Sequence, residues 1–282
     1  MRFTLFVIVS VSCLICSFSA PADSFKNEIG FGYSRSHHSP YTVKGYTLTG
    51  TQFLSPVNID AGPLGEAVFL ARIPRAGINL AYVATANDFY PEHSTDSQYG
   101  VNAAYASKHT PITAGIGINR IIYSHDSGPT TSPAIIWNQI HGGIGAYVTD
   151  RSHIGIDYTR VYADSPNAIS SHIWELSGKH LATISETQSF SISANIQRSV
   201  ADSTSASSTR MLTTAVEYYL TPATSVGARF QRWTIDSWDV ARIHRTVNVT
   251  TFITPTYIAG ISLQNVNRSS ARKIFFDVGT RF

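Results

Sequence analysis

Gln188-Ser-Phe-Ser-Ile-Ser-Ala-Asn-Ile-Gln-Arg-Ser-Val200 alternates apolar and polar residues over a long run. Phe190, Ile192, Ala194 and Ile196 fall on one face, and Ser189, Ser191, Ser193, Asn195 and Gln197 on the other. Successive side chains of a strand point to opposite sides, so period two marks a strand with one apolar and one polar face. The pattern recurs at Glu28–Tyr33, at His153–Thr159, at Leu212–Leu220 and from Lys273 to Phe282. Amphipathic helical periodicity is absent by comparison.

Extended along the chain, this reading places about fourteen strands, near 25–35, 43–54, 76–85, 97–107, 111–122, 137–148, 153–162, 171–182, 188–199, 209–220, 225–235, 244–254, 257–266 and 271–282. Most are ten to twelve residues long. A tilted strand needs roughly 9–11 residues to cross a bilayer, whereas strands of soluble domains more often run about five or six. The connections alternate in kind. One set is short, as at Ser107–Pro111, Thr149–Ser152, Thr221–Thr224 and Thr254–Thr256. The other is mostly longer and polar, as at Ser34–Lys44, Ala86–Ser97, His125–Pro133, Ala163–Ser171, Ala201–Ser208 and Asp236–Arg242. Short turns on one side and longer loops on the other are the asymmetry of a transmembrane barrel. The expected fold is an all-β, antiparallel transmembrane barrel of about fourteen strands.

One stretch resists the pattern. Residues 56–75 are too long for a tight turn, and Val68, Phe69 and Leu70 are apolar at consecutive positions. A short helix, a folded periplasmic cap or a concealed strand each fits, and the last changes the count to twelve or sixteen.

Composition agrees with the barrel. Of 282 residues, 43% are hydrophobic but only 14% are charged, against about 25% charged in an ordinary soluble domain. A disordered chain would be charge-rich and poor in aromatics. The net charge of +3 comes from scattered Lys and Arg, which leaves no footprint for nucleic acid. Both cysteines, Cys13 and Cys16, sit within residues 1–22. That segment has Arg2, the apolar run from Phe3 to Ile15, and Ala20-Pro21-Ala22, and it reads as a cleaved secretory signal. The barrel domain then runs over residues 23–282. It carries no cysteine, and no stretch in it approaches the roughly 18 consecutive apolar residues of a membrane-spanning helix.

A weak internal repeat closes the down-strands: Phe53-Leu54-Ser55-Pro56, Tyr147-Val148-Thr149-Asp150, Tyr219-Leu220-Thr221-Pro222 and Phe252-Ile253-Thr254-Pro255. The Pro starts a turn and cannot continue a ladder. The four aromatics are expected at the bilayer boundary, where ring and polar tip suit the interface.

At its C-terminus the chain resembles Gram-negative outer-membrane β-barrel proteins of the porin-like kind. It stops at Phe282 with apolar residues at every second position before it, although Thr280 stands where such proteins favour a larger apolar residue. The segment Gln52-Phe53-Leu54-Ser55-Pro56-Val57 through Gly62-Pro63-Leu64 to Ala67-Val68-Phe69-Leu70 is similar to a stretch of a largely uncharacterised porin family. The resemblance implies that Phe282 is an assembly signal read by the barrel assembly machinery. It also implies partners in outer-membrane lipid and lipopolysaccharide, and a monomer or homotrimer.

Lys or Arg facing mid-bilayer lipid costs about 2–4 kcal/mol, so the remaining charges belong on the inner wall, in loops or at strand ends. Glu28, Asp157, Glu175, Lys179, Glu217, Arg229, Lys273 and Asp277 all land opposite the apolar set and are the candidate pore-lining residues. Parity further permits Glu217 to sit directly across from Arg229. Fourteen strands lie between side-chain-filled eight-strand barrels and sixteen-strand water channels. A wall of Ser, Thr, Asn, Gln and Gly then predicts passive, weakly selective diffusion of small hydrophilic solutes. The alternative is a non-conducting barrel that serves as a surface binding or structural protein.

Enzymatic signals are thin. His125-Asp126-Ser127-Gly128-Pro129 is hydrolase-like only in composition, because a triad is a spatial arrangement and neighbours in sequence rarely form one. The ten His show no H-x-x-x-H or H-E-x-x-H spacing, and His37, His38, His172 and His180 read as loop or rim residues. No catalytic set, cofactor or metal is expected.

Overall fold

The computed structural model describes residues 24–38, 40–60, 62–90, 92–126, 133–164, 169–203, 208–235, 238–266 and 272–282. The expected leader over 1–22 lies outside the described residues, as do Ser127, Gly128 and Pro129.

Fourteen strands close into one antiparallel barrel. They are β1 (Ser24–His38), β2 (Tyr41–Asn58), β3 (Arg75–Asn87), β4 (His93–Tyr105), β5 (Ile112–Asp126), β6 (Ile135–Thr149), β7 (Ser152–Ala163), β8 (Ser171–Thr183), β9 (Ser189–Ala201), β10 (Thr209–Thr221), β11 (Thr224–Ile235), β12 (Trp238–Phe252), β13 (Tyr257–Val266) and β14 (Arg272–Arg281). Each strand pairs with its neighbours in sequence, and β1 meets β14 from Glu28↔Arg281 to His37↔Arg272. All fourteen expected strands are present. Most run a few residues further toward the long loops than expected, and β12 takes in positions 238–242, which the sequence reading assigned to a loop.

Closure follows from the solvent each face meets. Ile116, Ile118, Ile144, Ile154, Leu176, Ile196, Val247, Leu263 and Val278 all stand exposed on the outer wall. Burying one such side chain away from water is worth about 1.5–3 kcal/mol. An apolar coat of this extent is far larger than a soluble monomer carries, and it fits a hydrocarbon surround. Backbone groups in hydrocarbon must pair within the protein, and a closed ladder pairs them without leaving an edge.

The inner wall is small and polar. Gly143 faces Asp157 across the β6–β7 ladder, and a Cβ there would lie 1.8 Å from Asp157 Oδ1, so only glycine lets that carboxylate lie flat against the wall.

Residues 59–74 connect β2 to β3. They hold a 3-10 turn (Leu64–Glu66) followed by the short helix α1 (Ala67–Ala71), and among the described residues there is no concealed strand. Ala67 and Ala71 pack with Phe25, Phe53 and Val57, the last fully buried, and Ile59, Val68 and Ile73 lie against them. This small apolar cluster is the core that soluble packing would recognise, and it sits at the turn end of the barrel.

Candidate functional site: the turn-side mouth and its cap

The four strand-end aromatics correct the sequence reading. Phe53, Tyr219 and Phe252 are buried, and Tyr147 is half-buried with its hydroxyl bonded to the connection between β2 and β3. Their register partners explain this. Phe53 pairs with Arg75 and Tyr147 with His153, both of which share inner-wall parity, and Tyr219, two residues on from inward Glu217, lies on the same face. The rings face the lumen, where they form a seat for residues 59–74 instead of a lipid girdle.

The cap formed by residues 59–74 is tied to the wall at many points around the barrel. Glu66 is 2% exposed, and Tyr219 Oη donates to its Oε1 at 2.8 Å. Lys179 Nζ lies 2.5 Å from Glu66 Oε2 and 4.9 Å from the centre of the Phe69 ring. Tyr147 Oη donates to Phe69 O at 3.0 Å, and the two rings meet at 5.4 Å. Arg281 Nη1 donates to Leu64 O at 2.9 Å, its Nε donates to Glu28 Oε2 at 2.7 Å, and its guanidinium lies over Phe25 and Phe252. Leu64 N–H donates to Pro222 O at 2.8 Å. A Cβ on Gly65 would lie 3.2 Å from the Tyr219 ring, tighter than an ordinary contact, so the glycine suits the close approach of the cap to β10.

Arg72 ends α1 in the left-handed region at φ 51°, a position that usually takes glycine. Its side chain offsets the local strain. Nη2 donates to Thr149 O at 3.1 Å and to Asp150 Oδ1 at 3.0 Å, and the guanidinium stacks 3.9 Å over the Tyr147 ring. The cap thereby reaches β1, β6, β8, β10 and β14 and crosses the turn-side mouth.

Cavities remain on both sides of the cap. One of about 420 Å³ lies between the cap and the wall of β3–β8, with Glu66, Phe69, Arg75, His153, Asp157 and Lys179 among its lining. Another of about 430 Å³ lies among the short turns, against Ile59, Leu70, Arg151 and Leu181. A third, of about 320 Å³, follows the inner wall of β10–β14 and is lined by Glu217, Arg229, Asn248, Gln264 and Asp277.

The eight sequence-expected wall residues all have inner-wall parity, but they divide into two groups. Glu28 and Lys179 hold the cap, Glu28 through Arg281 and Lys179 through Glu66. The others line the wall beyond it. Asp157 and Glu175 are direct cross-strand partners, and Asn195 Nδ2 donates to Glu175 Oε1 at 3.1 Å. Lys273 Nζ lies 4.6 Å from the Phe275 ring centre. Glu217 and Arg229 are not directly opposite. Glu217 faces Gly227 and Arg229 faces Ala215, so the real register is slipped by two residues from the expected one. Ser225 Oγ donates instead to the Glu217 carboxylate. A tight two-residue turn at Pro222-Ala223 brings Thr224 opposite Thr221, and parity alone could not fix that offset.

Sequence reasoning missed Glu66, Arg72, Tyr147, Tyr219 and Arg281 as site residues. Two signals were available. Glu66 is a lone carboxylate in the apolar run Leu64–Ala71, and Arg281 shares the parity of Lys273 and Asp277. Phe282, the expected assembly signal, closes the seam: its carbonyl accepts from Lys26 and Asn27 N–H at 2.9 and 2.7 Å. His125 and Asp126 end β5, while His172 and His180 sit at opposite ends of β8.

No family model matches the chain, and no curated protein matches it. Solved structures do. The Acinetobacter baumannii outer membrane protein Omp33 superposes with a TM-score of 0.61 at 17% identity, over 92% of this chain and 99% of that one. The CymD monoaromatic hydrocarbon channel gives 0.55 at 9% identity, over 92% and 89%. CdiB from Acinetobacter baumannii gives 0.55 at 5% identity, over 91% of this chain but 60% of its own. At such identities the likeness speaks for architecture, and architecture can host several functions. The fold of this chain is that of the porin-like outer-membrane β-barrels.

Proposed function

We propose that this chain is an outer-membrane channel, exported behind a cleaved leader over 1–22, through which small hydrophilic solutes diffuse passively and with weak selectivity. Transport needs no catalysis and no cofactor on this reading. One observation carries it: an apolar outer wall encloses a lumen lined by Ser, Thr, Asn, Gln and charges of both signs. Asp157, Glu175, Glu217 and Asp277 set acids on that wall, while Arg229 and Lys273 set bases among them, so no single sign dominates. Residues 59–74 narrow the path at the turn end, and their polar ties to Lys179, Tyr219 and Arg281 make that narrowing adjustable. Insertion proceeds through the assembly machinery acting on Phe282.

The same cap favours a second reading, a barrel that stays closed and serves as a surface protein. Planar-bilayer recording of detergent-purified protein separates the two. Discrete conductance steps, enlarged when residues 62–71 are replaced by a short Gly-Ser link, support the channel. A folded, heat-modifiable protein that gives no steps with or without the cap overturns it.

A further inference from the structure

The cavity between the cap and the wall of β3–β8 uses only part of its charged lining. Glu66 and Lys179 pair with each other, and His153 Nε2 meets Thr113 Oγ1 at 2.9 Å. Arg75 and Asp157 are left over. Both are exposed and line the cavity, and among the described residues neither side chain makes a hydrogen bond or an ion pair. The rings of His141 and His153 stand near Asp157 without an ion pair to it.

These two charges stand in one row of the barrel wall. Arg75 pairs with Ala104, Ala104 with Gly115, Gly115 with Gly143, and Gly143 with Asp157. Between a cation and an anion the row thus holds only a methyl group and two bare backbones. The Asp157 carboxylate lies flat over Gly143, so the two charges face each other across Ala104 and Gly115. Neighbouring strands lie about 4.8 Å apart, so roughly 14 Å of wall separates the backbones of Arg75 and Gly143, and the arginine stem spans part of it. Packing does not demand this bare floor. A Cβ on Gly115 would lie 3.7 Å from Ala103 O, an ordinary contact, so its absence leaves open volume above the row. Beyond Asp157 the row continues to Glu175, and like charges directly opposite each other on a sheet repel. A cation seated on Asp157 relieves that repulsion. Val68 and Phe69 of the cap cover the cavity with apolar surface.

We propose that this row is a binding site for a zwitterion of the α-amino-acid class, with the ligand carboxylate on Arg75 and its ammonium on Asp157. A guanidinium takes a carboxylate through two parallel N–H donors, and an ammonium donates to a carboxylate. The bare floor at Gly115 admits the ligand backbone, and a small side chain packs beneath Phe69. The cavity of about 420 Å³ falls within the range of small-molecule sites, roughly 300–1,000 Å³. A monocarboxylate answers Arg75 alone and a simple amine answers Asp157 alone, so each fills half of the site. The proposal deepens the channel reading by naming a preferred solute class, and it rests on a lumen that solutes can enter.

The test is equilibrium binding of alanine, acetate and methylamine to the purified full-length barrel in detergent, read by ligand-observed NMR titration. Alanine is expected to bind about tenfold more tightly than either single-charge ligand, as one more charged hydrogen-bonded contact implies. Arg75→Gln should lower alanine to the level of methylamine, and Asp157→Asn should lower it to the level of acetate. Gly115→Leu keeps every charge but fills the floor, and it should weaken alanine at least as much. Lys108→Gln, the same charge loss outside the cavity, should leave binding unchanged. All variants are compared in the heat-modifiable folded form. Alanine that binds wild type no more tightly than acetate or methylamine overturns the site before any variant is made. So does alanine binding that survives both Arg75→Gln and Asp157→Asn. Swelling of liposomes that carry the barrel reports on the channel separately. A barrel that binds alanine as expected but passes no solute keeps the site and removes the channel, and one that passes solutes without the binding preference does the reverse.

Discussion

Lys179→Met removes the one cation that the described residues place within ion-pair distance of the buried Glu66 carboxylate. Tyr219 Oη remains as a neutral donor at 2.8 Å. Breaking a buried ion pair from one side costs about 3–5 kcal/mol, mostly through the charge left behind. The Lys179 side chain keeps 33% exposure while that of Glu66 keeps 3%, so water already screens the lysine end and about 2 kcal/mol is a fair figure for the loss. At about 1.4 kcal/mol per tenfold, the ratio of released to seated cap rises roughly thirtyfold. Single-channel recording measures this as a rise in open probability at unchanged ionic conditions. Adding Glu66→Gln in the Lys179→Met background removes the stranded charge and should restore most of the seated population, because taking out both partners is cheaper than taking out one. An open probability that stays at the wild-type value in Lys179→Met, while the cap-replaced protein conducts freely, refutes the Lys179–Glu66 pair as what seats the cap and leaves the channel standing.

Three further outcomes follow from the same geometry. Arg72→Ala keeps the left-handed backbone cost of about 1 kcal/mol and loses the ties to Thr149 and Asp150, whereas Arg72→Gly loses only the ties; protease nicking at residues 59–74 should therefore be faster in the alanine variant. Ile144→Arg, on the lipid face of β6, should cost about 2–4 kcal/mol, while Val200→Arg near the loop end of β9 should cost about 0–1, read from urea-induced loss of the heat-modifiable gel form. The Arg160 guanidinium holds the Asp202 carboxyl below its ordinary value of 3.8. A depressed carboxyl contributes fully above the unfolded value and loses its contribution as pH falls through the lower folded one. Amide exchange next to Asp202 should therefore be flat from pH 7 to pH 5 after correction for intrinsic rates, and should quicken below about pH 3.8 in wild type but not in Asp202→Asn.

The strands were legible because a barrel wall between lipid and water imposes period two on every strand, and the strands of this chain obey it from the one holding Ile29 to the one holding Val278. Strand positions, antiparallel order and the inner side of Asp157, Glu175, Glu217, Arg229, Lys273 and Asp277 were therefore written in local pattern, while the exact strand count was not. Parity assigns a side and says nothing of offset. That is why Glu217 was expected across from Arg229, whereas the two-residue turn at Pro222-Ala223 seats it across from Gly227. Parity also places Tyr147 and Tyr219 on the inner wall, but their repeated motif resembled a lipid girdle, and only the presence of a partner inside the lumen shows what they face.

That partner belongs to the tertiary structure alone. Residues 59–74 have no period to read, and their contacts reach across the barrel to positions 153 and 217 residues away in sequence, from Glu66 to Tyr219 and from Leu64 to Arg281. Local pattern carries the preference of each residue for lipid, water or turn, and it pointed to a wall of about fourteen strands with a polar inside, twelve or sixteen staying open until the barrel closed on fourteen. Whether the mouth of that wall is open depends on pairings between residues far apart in the chain, which exist only once β1 and β14 have met and the barrel has an inside.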